Sequence, residues 1–91
     1  MFTTYAIYNA ERNKIYIGQT ADLEKRLARH NHFLPNKKSS YTSCNSGTWK
    51  VVYTEEYFTR QEALRREQEL KSEKGRRFVR TLILQNHLAL D

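Results

Sequence analysis

Two short runs of alternating character open the chain. Thr3 to Tyr8 and Lys14 to Gln19 are rich in Tyr, Ile and Thr, residues that suit a pleated, half-buried surface. The polar run Asn9-Ala10-Glu11-Arg12-Asn13 between them reads as a hairpin loop. From Asp22 to Phe33 the apolar period becomes helical, with Thr20 as the expected cap and Pro35 as the stop. Asn36 to Thr48 has no period and reads as a long loop, and Trp49 to Tyr57 returns to strand character. Thr59-Arg60-Gln61-Glu62 has the form of a capping box, which predicts a second helix from Thr59 to about Ser72. Lys74-Gly75 is expected to end it, with a third helix from Arg76 to Asn86 carrying Phe78, Val79, Leu82 and Ile83 on one side. This order implies a small α+β fold, in which a three-stranded, mainly antiparallel sheet is flanked by about three helices.

Several polar side chains fall where apolar ones are expected. At about 100° per residue, Leu23, Leu27 and Leu34 share one arc of the first helix. His30 lies inside that arc and Arg26 at its edge, while Lys25 and Arg29 point away. In the second helix Ala63, Leu64 and Leu70 define an inner arc, and Glu67 falls between them. A carboxylate turned inward is costly unless a cation, a metal or hydrogen-bond donors pair with it. An ion pair with Arg26 and a divalent metal ion would each satisfy that need. If Ile7, Ile15 and Ile17 share one face of the sheet, Tyr8 and Tyr16 share the other, with Gly18 leaving open backbone beside them for a bulky ligand.

Composition adds a partner class and removes others. At 91 residues the chain suits one domain, 1–91. Lys and Arg total 16 against 10 Asp and Glu, a net +6 that favours an anionic partner such as nucleic acid. Lys37, Lys38, Lys71, Lys74, Arg76, Arg77 and Arg80 are candidates for a phosphate-tracking surface, on the strength of their sum. The single Cys44 excludes an internal disulfide and a cysteine-based zinc site. The amino end lacks the order of a secretory signal, and no apolar run approaches the ~20 residues that span a bilayer. A cytoplasmic protein without membrane contact is expected.

With these residues in view, the sequence resembles the GIY-YIG nuclease family. Ala6-Ile7-Tyr8 is similar to its first signature element, with Ala6 in place of glycine, and Tyr16-Ile17-Gly18 to its second. Gly18 to Leu27 resembles the family's strand-to-helix junction, which carries Arg26, and His30 stands where several members have histidine. Glu62 to Lys71 resembles the segment bearing the metal-binding glutamate, which would be Glu67, and Asn86 matches an asparagine near the end of the family's core. The likeness covers nearly the whole chain. It is greatest to small stand-alone bacterial members and to the amino-terminal nuclease domain of the excision-repair endonuclease.

The resemblance implies a metal-dependent endonuclease that hydrolyses DNA phosphodiester bonds in repair or processing. One divalent cation, Mg²⁺ or Mn²⁺, would be held by Glu67 and waters. Arg26 would donate to a phosphate oxygen. Tyr8 and Tyr16 would handle the attacking water, either one as base, with His30 as a relay. Targeting would come from these residues or from a protein partner. The alternative is a nucleic-acid-binding module of the same fold without catalysis.

Overall fold

The computed structural model describes residues 1–31 and 48–90, with the side chains of 86–90 outside that description. Strands β1 (Phe2–Asn9), β2 (Lys14–Thr20) and β3 (Trp49–Tyr57) form one sheet in the order β2-β1-β3. Both pairings are antiparallel. Helix α1 (Leu23–His30) follows β2, and helices α2 (Arg60–Lys71) and α3 (Glu73–Leu90) follow β3. The α+β architecture is therefore as the periodicity predicts. The expected loop with Lys37, Lys38 and Cys44 lies outside the described residues, as do Phe33 and Pro35. Helix α1 ends at His30 with Asn31 as its cap, before the expected Phe33.

The sheet has two covered faces. On one, Ala6, Ile15 and Ile17 pack with Leu70 of α2 and Val79 of α3. On the other, Tyr5, Ile7 and Trp49 pack with Leu23 and Leu27 of α1. Because β1 pairs Tyr5 with Gly18, Ile7 with Tyr16 and Tyr8 with Ile15, odd residues of β1 share a face with even residues of β2. This overturns the expected grouping of Ile7 with Ile15 and Ile17, and of Tyr8 with Tyr16. Hairpin register decides parity, and a slip of one residue exchanges the two faces completely. The turn that sets the register closes at Asn13, whose φ of 53° lies in the left-handed region that Asn tolerates.

A bulge divides β3 between the two faces. Ala6 pairs with Tyr53 but Ile7 pairs with Val51, leaving Val52 as the extra residue. Trp49 therefore faces α1, whereas Tyr53, Glu55 and Tyr57 face α2 and α3.

Local signals explain the helix ends. The cap of α1 is Asp22, which accepts from the Lys25 backbone N–H at 3.1 Å, while Thr20 acts one step earlier and accepts from the Asp22 N–H. At the far end Asn31 pins α1 to β3, accepting from Trp49 N–H at 2.6 Å and donating to its carbonyl at 3.0 Å. Thr59 caps α2 as expected, accepting from the Glu62 backbone N–H at 3.2 Å. The second half of the capping box is replaced by a bond from the Thr59 hydroxyl to Glu62 Oε1 at 2.8 Å. Thr4 on β1 donates to the Ala63 carbonyl at 2.7 Å and ties α2 to the sheet. The break between α2 and α3 is Ser72, not Gly75. Gly75 lies in the first turn of α3, where a Cβ would come within 2.4 Å of the Glu69 carbonyl oxygen and of Leu70 Cα. Glycine is needed there for close helix approach rather than to end a helix.

Candidate active site

The site is built around the pair Tyr5 and Gly18. A Cβ at Gly18 would sit 2.8 Å from the Tyr5 hydroxyl and 3.1 Å from Tyr16 Cε1. A hydrogen there lets the Tyr5 ring lie over β2, the edge strand. The room at Gly18 is thus filled by a phenol, and Gly18 itself is buried. That overturns the expectation of open backbone there for a bulky ligand such as nucleic acid.

The Tyr5 hydroxyl lies 2.8 Å from Nε2 of His30, which ends α1 and is 5% exposed. The His30 ring is 4.8 Å from that of Tyr16, and the two phenol rings are 6.3 Å apart. Arg26, one turn before His30 on α1, lies close enough to both phenols for each to act on its charge. Burial disfavours the Arg26 cation, but the two phenols outweigh it and hold the guanidinium more firmly protonated than usual. Burial lowers the His30 pKa to about 4, with Arg26 adding to the effect, so this imidazole is neutral near pH 7. Tyr5 keeps its proton well above the ordinary phenol range. Burial is the main cause, Tyr16 and Glu67 add to it, and Arg26 opposes it.

Tyr8 is absent from this group. It lies on the opposite face beside the Ala6 cluster, and its hydroxyl donates to Asn13 Oδ1 at 3.0 Å. The tyrosine that meets Tyr16 is Tyr5, in the triplet Thr3-Thr4-Tyr5. The available signal was the loop: a turn closing on a left-handed Asn13 sets the register that makes Tyr5 the partner. Sequence reasoning therefore found Tyr16, Arg26 and His30 in one place and chose the wrong phenol to join them.

Glu67 occupies the inner arc of α2 as expected, between the buried Ala63 and Leu70, although Leu64 is 39% exposed. Its side chain is 14% exposed and its carboxylate is close enough to act on Tyr5. Its ion-pair partner among the described residues is Lys71, at 3.7 Å. No ion pair to Arg26 forms among the described residues, which removes the structural alternative for this pair of charges. No group of three or more His, Cys, Asp or Glu side chains gathers among the described residues. A lone carboxylate with one distant cation suits Mg²⁺ or Mn²⁺, since such ions keep most of their waters and need few protein ligands.

The predicted cations divide. Lys71 and Arg76 line a cleft of about 240 Å³ with Ile15, Tyr16 and Ile17 at the free edge of β2, next to the site. Lys74 is exposed, and Arg77 is exposed and paired with Glu73 at 3.1 Å. Arg80 has a different task, donating to Asn13 Oδ1 at 2.7 Å and to the Asn13 carbonyl at 3.2 Å. It clamps the hairpin turn and so supports the register, which corrects its placement on a phosphate surface. Asn86 lies in α3, and its side chain, like Lys37 and Lys38, lies outside the described residues.

A second polar cluster carries no signal in the sequence. Glu55 on β3 accepts from the hydroxyls of Tyr53 and Tyr57, each at 2.5 Å, and from Arg66 Nε at 2.7 Å. Burial works against the Glu55 carboxylate, but these three donors hold its pKa below the ordinary range. The bond to Glu55 in turn pushes Tyr57 up to about 12.

Comparison with known proteins adds the family to this geometry. A family model described as the GIY-YIG catalytic domain matches residues 1–80. A UPF0213 protein of Staphylococcus saprophyticus is 33% identical over 66 residues, covering 72% of this chain and 76% of the relative. One from Staphylococcus haemolyticus is 35% identical over the same lengths. The solution structure of a UPF0213 protein from Bacillus halodurans is 24% identical, with a TM-score of 0.49, covering 90% of this chain and 85% of its own.

Proposed function

Because the chain belongs to the GIY-YIG catalytic domain family, a family of nucleases, we propose that it is a metal-dependent endonuclease hydrolysing DNA phosphodiester bonds. The observation that carries the reading is the meeting of Tyr5, Tyr16, Arg26 and His30 at the edge of the sheet, with the Glu67 carboxylate near enough to influence Tyr5. Phosphodiester hydrolysis needs an oriented water, stabilisation of added negative charge and help for the leaving oxygen. Those groups suit all three needs.

Each residue takes a role that its surroundings favour. Arg26, held charged by two phenols, donates to a non-bridging phosphate oxygen. Tyr5 is fully buried and keeps its proton, so it serves as a fixed donor and not as a base. Tyr16 is partly exposed, lines the cleft at the strand edge and meets the attacking water. Neutral His30 holds the Tyr5 hydroxyl in place through Nε2 at 2.8 Å. Glu67 would hold one Mg²⁺ or Mn²⁺ ion. When bound, that ion supplies positive charge to the phosphate and the departing 3′ oxygen.

Lys71 and Arg76 extend positive charge along the strand edge from Tyr16, a path suited to a nucleic-acid backbone. A role in DNA repair or processing follows the family resemblance. No helix among the described residues is long and apolar enough to cross a membrane.

The test is cleavage of supercoiled plasmid and of single-stranded, duplex and branched DNA with Mg²⁺, with Mn²⁺ and with a chelator. Nicking that needs the ion and disappears in Glu67→Ala supports the proposal. Salt-sensitive DNA binding with no cleavage under any ion would leave a binding module in its place.

A further inference from the structure

We propose that a second cleft, on the α1 side of Arg26, holds a phosphate of the substrate backbone next to the one being cut. The cleft has a volume of about 250 Å³, and its lining includes Gln19, Asp22, Lys25, Arg26, Arg29 and Arg60. Four cations face one carboxylate there, and Asp22 already spends an oxygen on the Lys25 backbone N–H. None of Lys25, Arg29 and Arg60 belongs to the surface expected from sequence. Lys25 and Arg29 lie on the outer side of α1, and Arg60 begins a helix remote in sequence. Tertiary packing brings the three together.

One contact orders part of this charge. The Arg60 guanidinium carbon lies 5.0 Å from the centre of the Phe2 ring, a cation–π distance that restrains the head group beside the cleft. Arg26 is shared between this cleft and the phenol pair, which places a phosphate here adjacent to one engaged at Tyr16. With Lys71 and Arg76 on the opposite side of Tyr16, the backbone would run from the β2 edge, past the phenols, to Arg60. The inference rests on the nuclease reading and deepens it: the substrate must be a strand with a phosphate beyond the scissile one.

The experiment uses Glu67→Gln protein, so that binding is read without cleavage. The probe is a fluorescein-labelled DNA duplex of about 12 base pairs, titrated across the range of about 50–200 mM salt in which phosphate contacts register strongly. Lys25→Ala with Arg60→Ala is expected to weaken binding about tenfold and to reduce the slope of log K against log salt by about 1–2. Lys74→Ala with Arg77→Ala removes the same charge away from the cleft and is expected to change both by less than half as much. Equal effects from the two pairs, no effect from the first, or no binding by the Glu67→Gln parent would each overturn the inference. If the alanine pair does not fold, Lys25→Gln with Arg60→Gln is read in the same way. Plasmid nicking by the unmodified chain separates the two claims. Nicking with an unchanged slope removes only the cleft, whereas a selective slope change without nicking removes only the nuclease.

Discussion

Two clusters of similar composition lie on opposite faces of one three-stranded sheet. One holds Tyr53, Tyr57, Glu55 and Arg66, the other Tyr5, Tyr16, Arg26 and His30 with Glu67 close by. In the first, the acid sits at the centre and accepts three short bonds, so its charge is matched on the spot. In the second, the cation lies close to two phenols, and the acid stands apart with a lysine at 3.7 Å. Matched groups make a bolt that locks α2 onto β3. Groups with bonding capacity left over make a site that a phosphate and an ion can complete. Residue types do not separate the two clusters; their pairing does.

The strongest break in this comparison is Glu67→Ala. Cleavage rate should fall by about 10²–10³ or more, with stability in urea changed by less than about 1 kcal/mol, because the lost ion pair is a weak one. A large loss of stability would place Glu67 with the bolt instead. Next comes the contrast of two phenylalanine variants. Tyr5→Phe should slow cleavage about ten- to a hundredfold, because His30 loses its 2.8 Å partner and Arg26 loses the neighbouring hydroxyl. Tyr8→Phe should leave the rate within about twofold, since it loses only a single neutral bond to the hairpin turn.

The reciprocal change on the other face is Glu55→Ala. It strands two phenols and leaves Arg66 only its Glu69 partner, and should cost about 1–3 kcal/mol in chemical denaturation while the folded protein keeps its rate. Smallest is a pH effect centred on His30. The folded protein takes up a proton there near pH 4, whereas the unfolded chain does so near the ordinary value of 6.5. Between those values the unfolded state binds more protons, so stability falls as pH is lowered from about 6.5 toward 4. His30→Gln should remove on the order of 1 kcal/mol of the stability difference between pH 7 and pH 5. An unchanged difference would show that burial does not control this imidazole.

Strand and helix order, the helix cap at Thr59 and the inward position of Glu67 were all legible in the chain. They depend on period and on contacts between residues three or four apart, which a linear sequence displays directly. Arg26 and His30 were legible as neighbours for the same reason. Tyr5 was not. Its membership depends on the parity of the β1–β2 register, set by how many residues the turn consumes and fastened by Arg80 from a helix 67 residues later. The Val52 bulge is likewise invisible in alternation, yet it sends Trp49 to one face and Glu55 to the other.

Local period thus determined which elements form and which helix faces turn inward, because those energies act within a turn or a strand. Which phenol reaches Arg26, why Gly18 has no side chain and which cations gather at Arg60 were decided only by tertiary packing. Register and crossing geometry are collective: they optimise the burial of whole faces, and a polar cluster takes whatever place that optimum assigns it.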